Sequence, residues 1–399
     1  MRKVSVLFII SMLVLSASVV WADEIKIGAL FPRSGSLALL GEESWRGVEL
    51  ARIERNEAGG IAGKQIVYDN GDCPDVAAAR SEVERLIHQN NIKLVIGTYS
   101  SSRDMAATEV AARNNIPYFE LGAIANEITQ RGYKTVFRTN PTALDFSRAQ
   151  VDFINEWLAE KLGKKPSEIK VAIAHEDSDY GTSVAASFAD LAKEKGIQIV
   201  LVEPYGATSS DLSSVIFRLR KAAPDIIVAV SYAQDAILLS RQMHELKVNV
   251  PLFGTGGGHS LQSFSDALGE HAEGVFDSDF TQFAVNTEFT PGLEKFVAMY
   301  KEKFGEDPRS GHSLTHYTGA RIVFDILEKT GGDMDPAKIA EAAKSMDLPE
   351  GSTPTGWGVK FNENGQNVRS RAFVMQWRDG KIVTVYPKAA AAMDPALPK

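Results

Sequence analysis

The fold is decided by residues 24–69, which contain EIKIGALF (24–31), EESWRGVELARIERNE (42–57) and KQIVYD (64–69) in that order. The first and third segments are short and mostly apolar, which indicates buried strands. The middle segment is amphipathic and is followed by Gly59-Gly60, which indicates a helix that ends there. A helix between two buried strands predicts a parallel strand pair covered by its crossover helix.

The same alternation continues along the chain and begins again after Pro141. In the first half we predict helices at 76–89 and 103–114, and strands at 93–97, 116–121 and 135–139. In the second half we predict helices at 145–162, 182–195, 212–222 and 234–246, and strands at 169–174, 197–203, 225–230 and 251–254. Two long helices, 291–304 and 313–329, follow without a strand between them, and 351–386 is strand-like again.

This organisation predicts an α/β fold with two Rossmann-like lobes, each built on a parallel sheet with covering helices. In such folds a ligand binds at the carboxyl ends of the strands, so we expect a ligand cleft between the lobes.

Residues 1–22, MRKVSVLFIISMLVLSASVVWA, are typical of a cleaved export signal, and we expect cleavage after Ala22. A retained membrane anchor is the alternative, but the apolar run 4–20 is short for a spanning helix and an acidic, strand-like segment follows it. Removal of 22 of the 399 residues leaves 377, which is enough for two domains. We expect a periplasmic protein without a lipid anchor, because no cysteine lies in or just after the signal.

The charge of the chain excludes some classes of partner. It carries 43 basic and 51 acidic residues, and the signal contains two of the basic ones, so the mature net charge is 41 minus 51, or −10. Such a surface disfavours nucleic acid and anionic lipid. The one cysteine, Cys73, excludes an internal disulfide, and we interpret it as a structural thiol.

No set of residues predicts an enzyme, a cofactor or a metal site. The glycine-rich loop 254–259 departs from the dinucleotide-binding fingerprint at His259, and 60–64 lacks the hydroxyl residue of a phosphate loop. His244-Glu245 begins a zinc-protease motif, but Val248 stands where its second histidine would be. We therefore predict a protein without catalysis, cofactor or metal ligands.

Three loops that each follow a strand and precede a helix carry polar side chains suited to a small polar molecule: 99–102 (YSSS), 175–181 (HEDSDYG) and 231–235 (SYAQD). In the first loop, hydroxyls and free backbone amides meet at the positive end of a helix, which suits a carboxylate. The alternative is a plain cap that serves only its own helix. The second loop offers Tyr180 from the opposite side.

Several short segments occur in an order and at a spacing known from one family: IGAL (27–30) with Ser34-Gly35, NEAGGIAGK (56–64), Ile96-Gly97 with 100–102, Arg131-Gly132-Tyr133, Tyr180-Gly181 and Ala272-Glu273-Gly274. Through them the mature chain resembles the branched-chain amino-acid type of periplasmic solute-binding protein. These receptors of ABC importers are also called type I periplasmic binding proteins. The resemblance implies a small-molecule ligand and a membrane permease as partners, and we expect a monomer.

The resemblance also implies a hinge made of three crossings between the lobes, which we place near 140–142, 277–281 and 355–360. The first lobe would then contain 23–141 and 278–355, and the second 142–277 and 356–388. Residues 389–399 would form a frayed tail. The lobes would close on the ligand, and the closed form would dock on the permease.

Binding roles follow from the resemblance for four positions. Ser101 matches a serine that holds the ligand carboxylate, and Gly122 a position whose carbonyl receives the ligand ammonium. Tyr180 and Tyr232 match aromatic residues that cover the ligand. The candidate ligand-binding residues are Ser101, Ser102, Gly122, Tyr180, Tyr232 and Gly256, with Arg33, Tyr99, Ile124, His259 and Asp279 as further candidates.

Two departures from the family pattern concern the ligand. Ile124 replaces a hydroxyl residue that would bond a carboxylate, and Gly256 replaces the acid that would pair with an ammonium. A buried unpaired ammonium costs several kcal/mol, so either another acid replaces it or the ligand has no ammonium. The candidates for that acid are Glu120, Asp277 and Asp279, whereas Arg33 and His259 would serve an anionic ligand. Ser100 occupies the usual partner position of Cys73, so the family disulfide is absent.

The leading hypothesis is a non-enzymatic periplasmic receptor that captures an amino-acid-like or organic-acid solute and presents it to an ABC permease. A sensory module that signals to a chemoreceptor or kinase is the alternative. A secreted hydrolase is a remote third hypothesis, because no nucleophile and base are paired in the sequence.

Overall fold

A computed structural model describes residues 24–398 of the chain. The proposed signal and its cleavage site lie outside the described residues. Within them, no helix is long and apolar enough to cross a membrane.

The described chain alternates between strands and helices throughout. The strands are β1 (Glu24–Phe31), β2 (Gln65–Asp72), β3 (Val95–Gly97), β4 (Tyr118–Glu120), β5 (Val136–Arg138), β6 (Lys170–Glu176), β7 (Gln198–Tyr205), β8 (Ile226–Val230), β9 (Leu252–Thr255), β10 (Phe276–Asp279), β11 (Phe373–Arg378) and β12 (Lys381–Tyr386). The helices are α1 (Ala38–Glu57), α2 (Val76–His88), α3 (Ser101–Arg113), α4 (Glu127–Gln130), α5 (Ala143–Phe153), α6 (Ala159–Lys161), α7 (Asp179–Glu194), α8 (Ser213–Ala222), α9 (Ala233–Glu245), α10 (Gly257–Ser260), α11 (Gln262–Leu268), α12 (Leu293–Phe304), α13 (Gly311–Lys329) and α14 (Pro336–Lys344). A π-helical segment, Ile154–Leu158, joins α5 to α6, so the predicted helix 145–162 is continuous.

The first lobe is built on a parallel sheet with the strand order β2-β1-β3-β4-β5. The three-residue strands β3, β4 and β5 are fully buried because helices cover both faces, whereas the edge strand β2 is largely half-buried. Helix α1 packs against α13, and Gly47 permits this close approach: a Cβ there would lie 2.1 Å from the carbonyl oxygen of Ser313. The α/β prediction is thus confirmed for this lobe.

The second lobe has seven strands in the order β12-β11-β10-β9-β8-β6-β7. Strands β10, β9, β8, β6 and β7 are parallel, whereas β11 and β12 are antiparallel to their neighbours. Within the predicted strand-like region 351–386 only β11 and β12 are strands. Strand β10 was missed by the sequence analysis because its sequence, FDSD, is mostly polar.

The chain crosses between the two lobes three times; the second crossing falls within its predicted range, and the third differs from its predicted position. Strand β10 belongs to the second sheet, so the second crossing begins only after Asp279. The third lies at 368–372 rather than 355–360, because Phe361 packs edge-on against Phe137 with ring centroids 5.9 Å apart and Gln366 bridges to Arg138 in β5. Residues 356–367 therefore pack with the first lobe.

The prediction of a frayed tail differs from the structure for residues 389–398. Ala390 is fully buried, and the backbone N–H of Ala392 donates to the carbonyl oxygen of Thr384 at 2.9 Å. The Gln376 side chain donates to Ala396 O at 2.6 Å and accepts from Ala396 N at 3.0 Å. The tail is held because it satisfies these polar groups of the β11 and β12 hairpin.

Candidate ligand-binding site

One cavity lies where the carboxyl ends of the two sheets face each other. It is lined from both lobes by Leu40, Tyr99, Ser101, Gly122, Ile124, Phe146, Tyr180, Ser231, Tyr232, Gly256, Gly257, Asp279, Phe280 and His312. Most of these side chains are aromatic or apolar, and a few polar groups converge among them. This is the composition of a site that selects a small ligand by shape and orients it by a few hydrogen bonds.

The anion-binding side of the cavity is the beginning of helix α3. The N-cap residue, Ser100, makes no side-chain capping bond, so the amides of the first turn keep their partial positive charge. Ser101 is buried at this end, and its Oγ accepts a hydrogen bond from Ala125 N at 3.1 Å. That bond leaves the hydroxyl proton of Ser101 free to be donated to a ligand oxygen.

Behind this end, the buried carboxylate of Glu120 holds two ligand-facing loops together. It accepts from Tyr99 N at 3.1 Å, Gly122 N at 2.7 Å and Ala123 N at 2.6 Å, and also from Thr98 N. Burial raises the pKa of this group, while the backbone donors act in the opposite direction. Because four backbone N–H groups occupy its oxygens and it does not line the cavity, Glu120 is a poor candidate for the missing ammonium partner.

The second lobe covers the cavity with two tyrosines whose ring centroids are 5.1 Å apart, Tyr180 and Tyr232. The Tyr180 hydroxyl donates to Thr255 O. Gly256 has φ +69°, and a Cβ there would lie 2.7 Å from the Tyr180 oxygen. Glycine is therefore needed at 256 for the backbone conformation and for the tyrosine.

Asp279 is the acid that lines the cavity. Its Oδ2 accepts from Ser260 Oγ at 2.5 Å and from Gln282 Nε2 at 3.1 Å, and its Oδ1 from Phe280 N at 2.7 Å. Burial raises the pKa of Asp279 to about 7. A positive ligand group beside Asp279 would favour its ionised form.

His312 brings a third kind of polar group to the same region. Its ring lies edge-on to Phe280 and Tyr99, with centroids 5.1 and 5.6 Å away, and Nδ1 is 3.0 Å from Ser310 Oγ. Burial, helped by the nearby His316, lowers its pKa to about 3. His312 is therefore neutral near pH 7.

The two lobes meet across the cavity. Asp179 N donates to Ser102 Oγ at 3.3 Å, and Asn126 N donates to Ser183 Oγ at 3.0 Å. Leu37 and Leu40 of the first lobe pack with Leu261 of the second. The structure is thus the closed arrangement of a two-lobed molecule.

Comparison with known proteins agrees with this architecture. The family model described as "Periplasmic binding protein" matches residues 24–381. A Leu/Ile/Val-binding protein homolog 8 of Brucella abortus is 48% identical over 370 residues, 92% of each chain. The chain belongs to the periplasmic binding protein family.

Two solved structures are similar in fold to this periplasmic binding protein. The branched-chain amino acid transporter substrate binding protein LivJ from Streptococcus pneumoniae, in complex with isoleucine, has a TM-score of 0.77 and 25% identity, covering 94% of this chain and 100% of that one. A solute-binding protein of an ABC transporter from R. palustris, in complex with benzoate, has a TM-score of 0.78 and 20% identity, covering 94% and 98%. The predicted family resemblance is confirmed.

Most of the sequence-predicted site residues of this binding protein line its cavity, and three do not. Ser101, Gly122, Tyr180, Tyr232, Gly256, Tyr99, Ile124 and Asp279 are brought together. Ser102 lies at the contact between the lobes. Arg33 pairs with Glu42 at 2.8 Å and lies over the Trp45 ring, away from the lining.

His259 is the third residue outside the lining. It is fully buried, neither ring nitrogen has a hydrogen-bond partner, and it packs near Phe264. Burial lowers its pKa to about 3, so it carries no positive charge for an anion. Asp277 is likewise buried inside the second lobe and outside the lining.

The sequence analysis missed six lining residues: Leu40, Phe146, Ser231, Gly257, Phe280 and His312. Ser231 and Gly257 lie in the loops 231–235 and 254–259. Their positions just after strand ends would have been enough to predict them as lining residues. Leu40, Phe146 and His312 come from helices, where only the packing decides which residues face the cleft. Among the described residues no three His, Cys, Asp or Glu side chains are placed to hold a metal ion.

Proposed function

We propose that this periplasmic binding protein is the receptor of an ABC importer, which closes on a small amino-acid-like or organic-acid solute and delivers it to the permease. The cavity lined from both lobes carries this proposal, because a ligand that contacts both lobes favours the closed state by its differential contacts. The relatives named for Leu, Ile and Val binding support it.

We propose an α-amino acid with an apolar side chain as the ligand. The carboxylate would lie at Ser101 and the amides of α3, where an anion is favoured by the helix end. The ammonium would lie between Gly122 O and Asp279, the one acid among the lining residues. The side chain would fill the space between Leu40, Phe146 and the covering tyrosines.

An aromatic carboxylate without an ammonium is the second candidate. Ile124 is 95% buried and gives the carboxylate side no second hydroxyl, while Phe146, Tyr180, Tyr232 and Phe280 surround the cavity with rings. A structural neighbour of the same fold is in complex with benzoate. For such a ligand Asp279 would be protonated and would donate a hydrogen bond.

The pH dependence of binding separates the two candidates, because the pKa of Asp279 is raised to about 7. An ammonium prefers the ionised carboxylate, so isoleucine should bind more tightly as pH rises from 6 to 8. A bare carboxylate such as benzoate prefers the protonated form and should bind more weakly over the same range. Titration calorimetry measures both, and Asp279→Asn should abolish either pH dependence and weaken isoleucine alone.

Thermal shift gives the first test of the receptor function itself. A ligand at 100 times its Kd stabilises the folded state by about 2.7 kcal/mol. A panel of aliphatic amino acids and aromatic carboxylates should therefore contain at least one compound that raises the melting temperature. Failure of every member of the panel, or turnover of a bound member during incubation, would reject the proposal.

We further propose that export removes residues 1–22 and that the mature protein acts as a monomer. The short separation between the proposed cleavage site and the first strand is consistent with cleavage after Ala22, since β1 begins at Glu24, two residues later. Intact mass of the protein secreted to the periplasm tests the site, and light scattering tests the monomer. A mature chain that keeps its first 22 residues would contradict the export signal.

A further inference from the structure

Asn126 is a residue of the first lobe that makes three hydrogen bonds to the second lobe. It follows β4 in the chain, in the loop that carries Gly122 and Ile124 to the cavity. Its backbone N–H donates to Ser183 Oγ at 3.0 Å, and its Nδ2 donates to Ser187 Oγ at 2.8 Å. Its Oδ1 accepts from Leu144 N at 3.1 Å, at the start of α5.

The surface of α7 that contacts Asn126 offers two serine hydroxyls as hydrogen-bond acceptors. Ser183 and Ser187 are four residues apart on α7 and so lie on one face of that helix. Only 4% and 6% of their surface is exposed while the lobes are together. Their hydroxyl oxygens are the acceptors for Asn126, and separation of the lobes would return all these groups to water.

The loop that carries Asn126 is rigidly tied to the ligand-binding part of the first lobe. Ala125 N donates to Ser101 Oγ, and the buried guanidinium of Arg138 donates to Ala125 O at 2.6 Å. Ile124 lines the cavity two residues before Asn126. A ligand that positions this loop therefore also positions Asn126 relative to α7.

We propose that Asn126 is a latch residue: through Ser183 and Ser187 it holds the closed arrangement and sets how long a ligand is retained, without touching the ligand. This inference rests on the proposed function, because it requires closure on a solute. Ligand meets the open cleft first and the latch forms afterwards, so the latch acts on the dissociation rate and leaves the association rate unchanged.

The test compares Asn126→Ala with the wild-type protein by stopped-flow or surface-plasmon kinetics, using isoleucine and benzoate as probes. The variant loses two side-chain hydrogen bonds, each of which contributes a net free energy of about 1 kcal/mol to the closed state. The dissociation rate should therefore increase roughly tenfold or more. The melting temperature without probe should not change, since the open state leaves this side chain in water. A structural role within one lobe would lower that temperature instead.

Asn90→Ala is the matched control. Asn90 is also half-buried and donates from Nδ2 to a side chain, Asp69, but both residues belong to the first lobe. The control should leave dissociation kinetics unchanged. Ser187→Ala provides a second variant and should raise the dissociation rate several-fold, while the double variant with Asn126→Ala should be less than additive because both remove the same bond.

The outcomes separate the latch from the receptor function. If the wild type binds a probe and Asn126→Ala releases it at the wild-type rate, the latch is refuted and the receptor function stands. If the dissociation effects of Asn126→Ala and Ser187→Ala are fully additive, the direct bond between them is refuted. If the wild type binds neither probe, the proposed ligand classes fall, and the latch that rests on them falls as well.

Discussion

Gly257→Ala is expected to prevent complete closure while leaving each lobe folded. Gly257 begins α10 in the second lobe, where its backbone does not require glycine. A Cβ built on it would lie 2.7 Å from Cε1 of His312 and 2.9 Å from Cδ1 of Leu40, both in the first lobe. Carbon atoms pack best at about 3.5 to 4.0 Å, so the added methyl overlaps both partners.

The neighbours of the added methyl have little freedom to move. His312 is fixed by Ser310 on one side and by the rings of Tyr99 and Phe280. Leu40 is 4% exposed and packs between the lobes. Overpacking of this kind costs about 1 to 3 kcal/mol, and here the cost falls on the closed state alone. The Kd should rise roughly 5- to 150-fold for either probe ligand.

Titration calorimetry measures the affinity, and small-angle scattering with saturating ligand measures the degree of closure. The variant should scatter as a more open molecule than the wild type, with an unchanged melting temperature in the absence of ligand. Gly206→Ala is the control, since its Cβ meets only Ser209 Oγ at 3.4 Å. A Gly257→Ala variant that binds within twofold of wild type and closes fully would refute the assignment of this contact as the meeting point of the lobes.

Two further variants test the first lobe. Ser101→Ala removes the hydroxyl offered to the ligand carboxylate. Because a hydrogen bond to a charged group contributes about 1.5 to 3 kcal/mol, calorimetry should show the affinity for both isoleucine and benzoate lowered by about 10- to 100-fold. An effect on one probe only would contradict a shared carboxylate site. Glu120→Ala leaves four buried backbone N–H groups without their acceptor, so urea unfolding should show a loss of about 3 to 5 kcal/mol, and a loss under 1 kcal/mol would disprove its role in joining the loops.

The parts of the fold that could be predicted are those in which buried apolar residues recur at regular positions along the sequence. Strands such as β8 are continuous apolar runs, and their helices show one apolar face. The segment before β11 could not be predicted in this way, because Phe361 and Gln366 are held by contacts with Phe137 and Arg138, more than 220 residues earlier in the sequence. Such partners follow from the path of the chain between the lobes and leave no periodic pattern.

The site shows the same division between local and distant information. Ser101 and Tyr180 could be predicted because each follows a strand and begins a helix, a position that depends only on nearby sequence. His312 reaches the cavity because the first turn of α13 packs against the chain just after the second crossing. There Gly311 N donates to Gln282 Oε1 at 2.9 Å. Its neighbours in the sequence give no sign of this placement.

The choice among the candidate acids shows what the register of a sheet adds to the sequence. The resemblance stated for the sequence implies an acid at the position of Gly256, just after β9. Strand β10 is the parallel neighbour of β9, with Asp277 opposite Gly254 and Ser278 opposite Thr255, so the next pair places Asp279 beside Gly256. Gly256 N donates to Ser278 O at 2.7 Å, which holds the two strand ends together.

A carboxylate at the end of one strand can thus be exchanged for one at the end of the adjacent strand, because parallel strands present their carboxyl ends at the same edge of the sheet. Asp277 and Asp279 are two residues apart and lie on the same face of β10. Only Asp279 lies at the edge that opens on the cavity, and Asp277 is one step further inside the lobe. If Asp279 replaces the missing acid, then the double variant Gly256→Asp with Asp279→Gly should not restore isoleucine binding. The backbone at 256 has a positive φ that favours glycine, and a side chain there would clash with the Tyr180 hydroxyl.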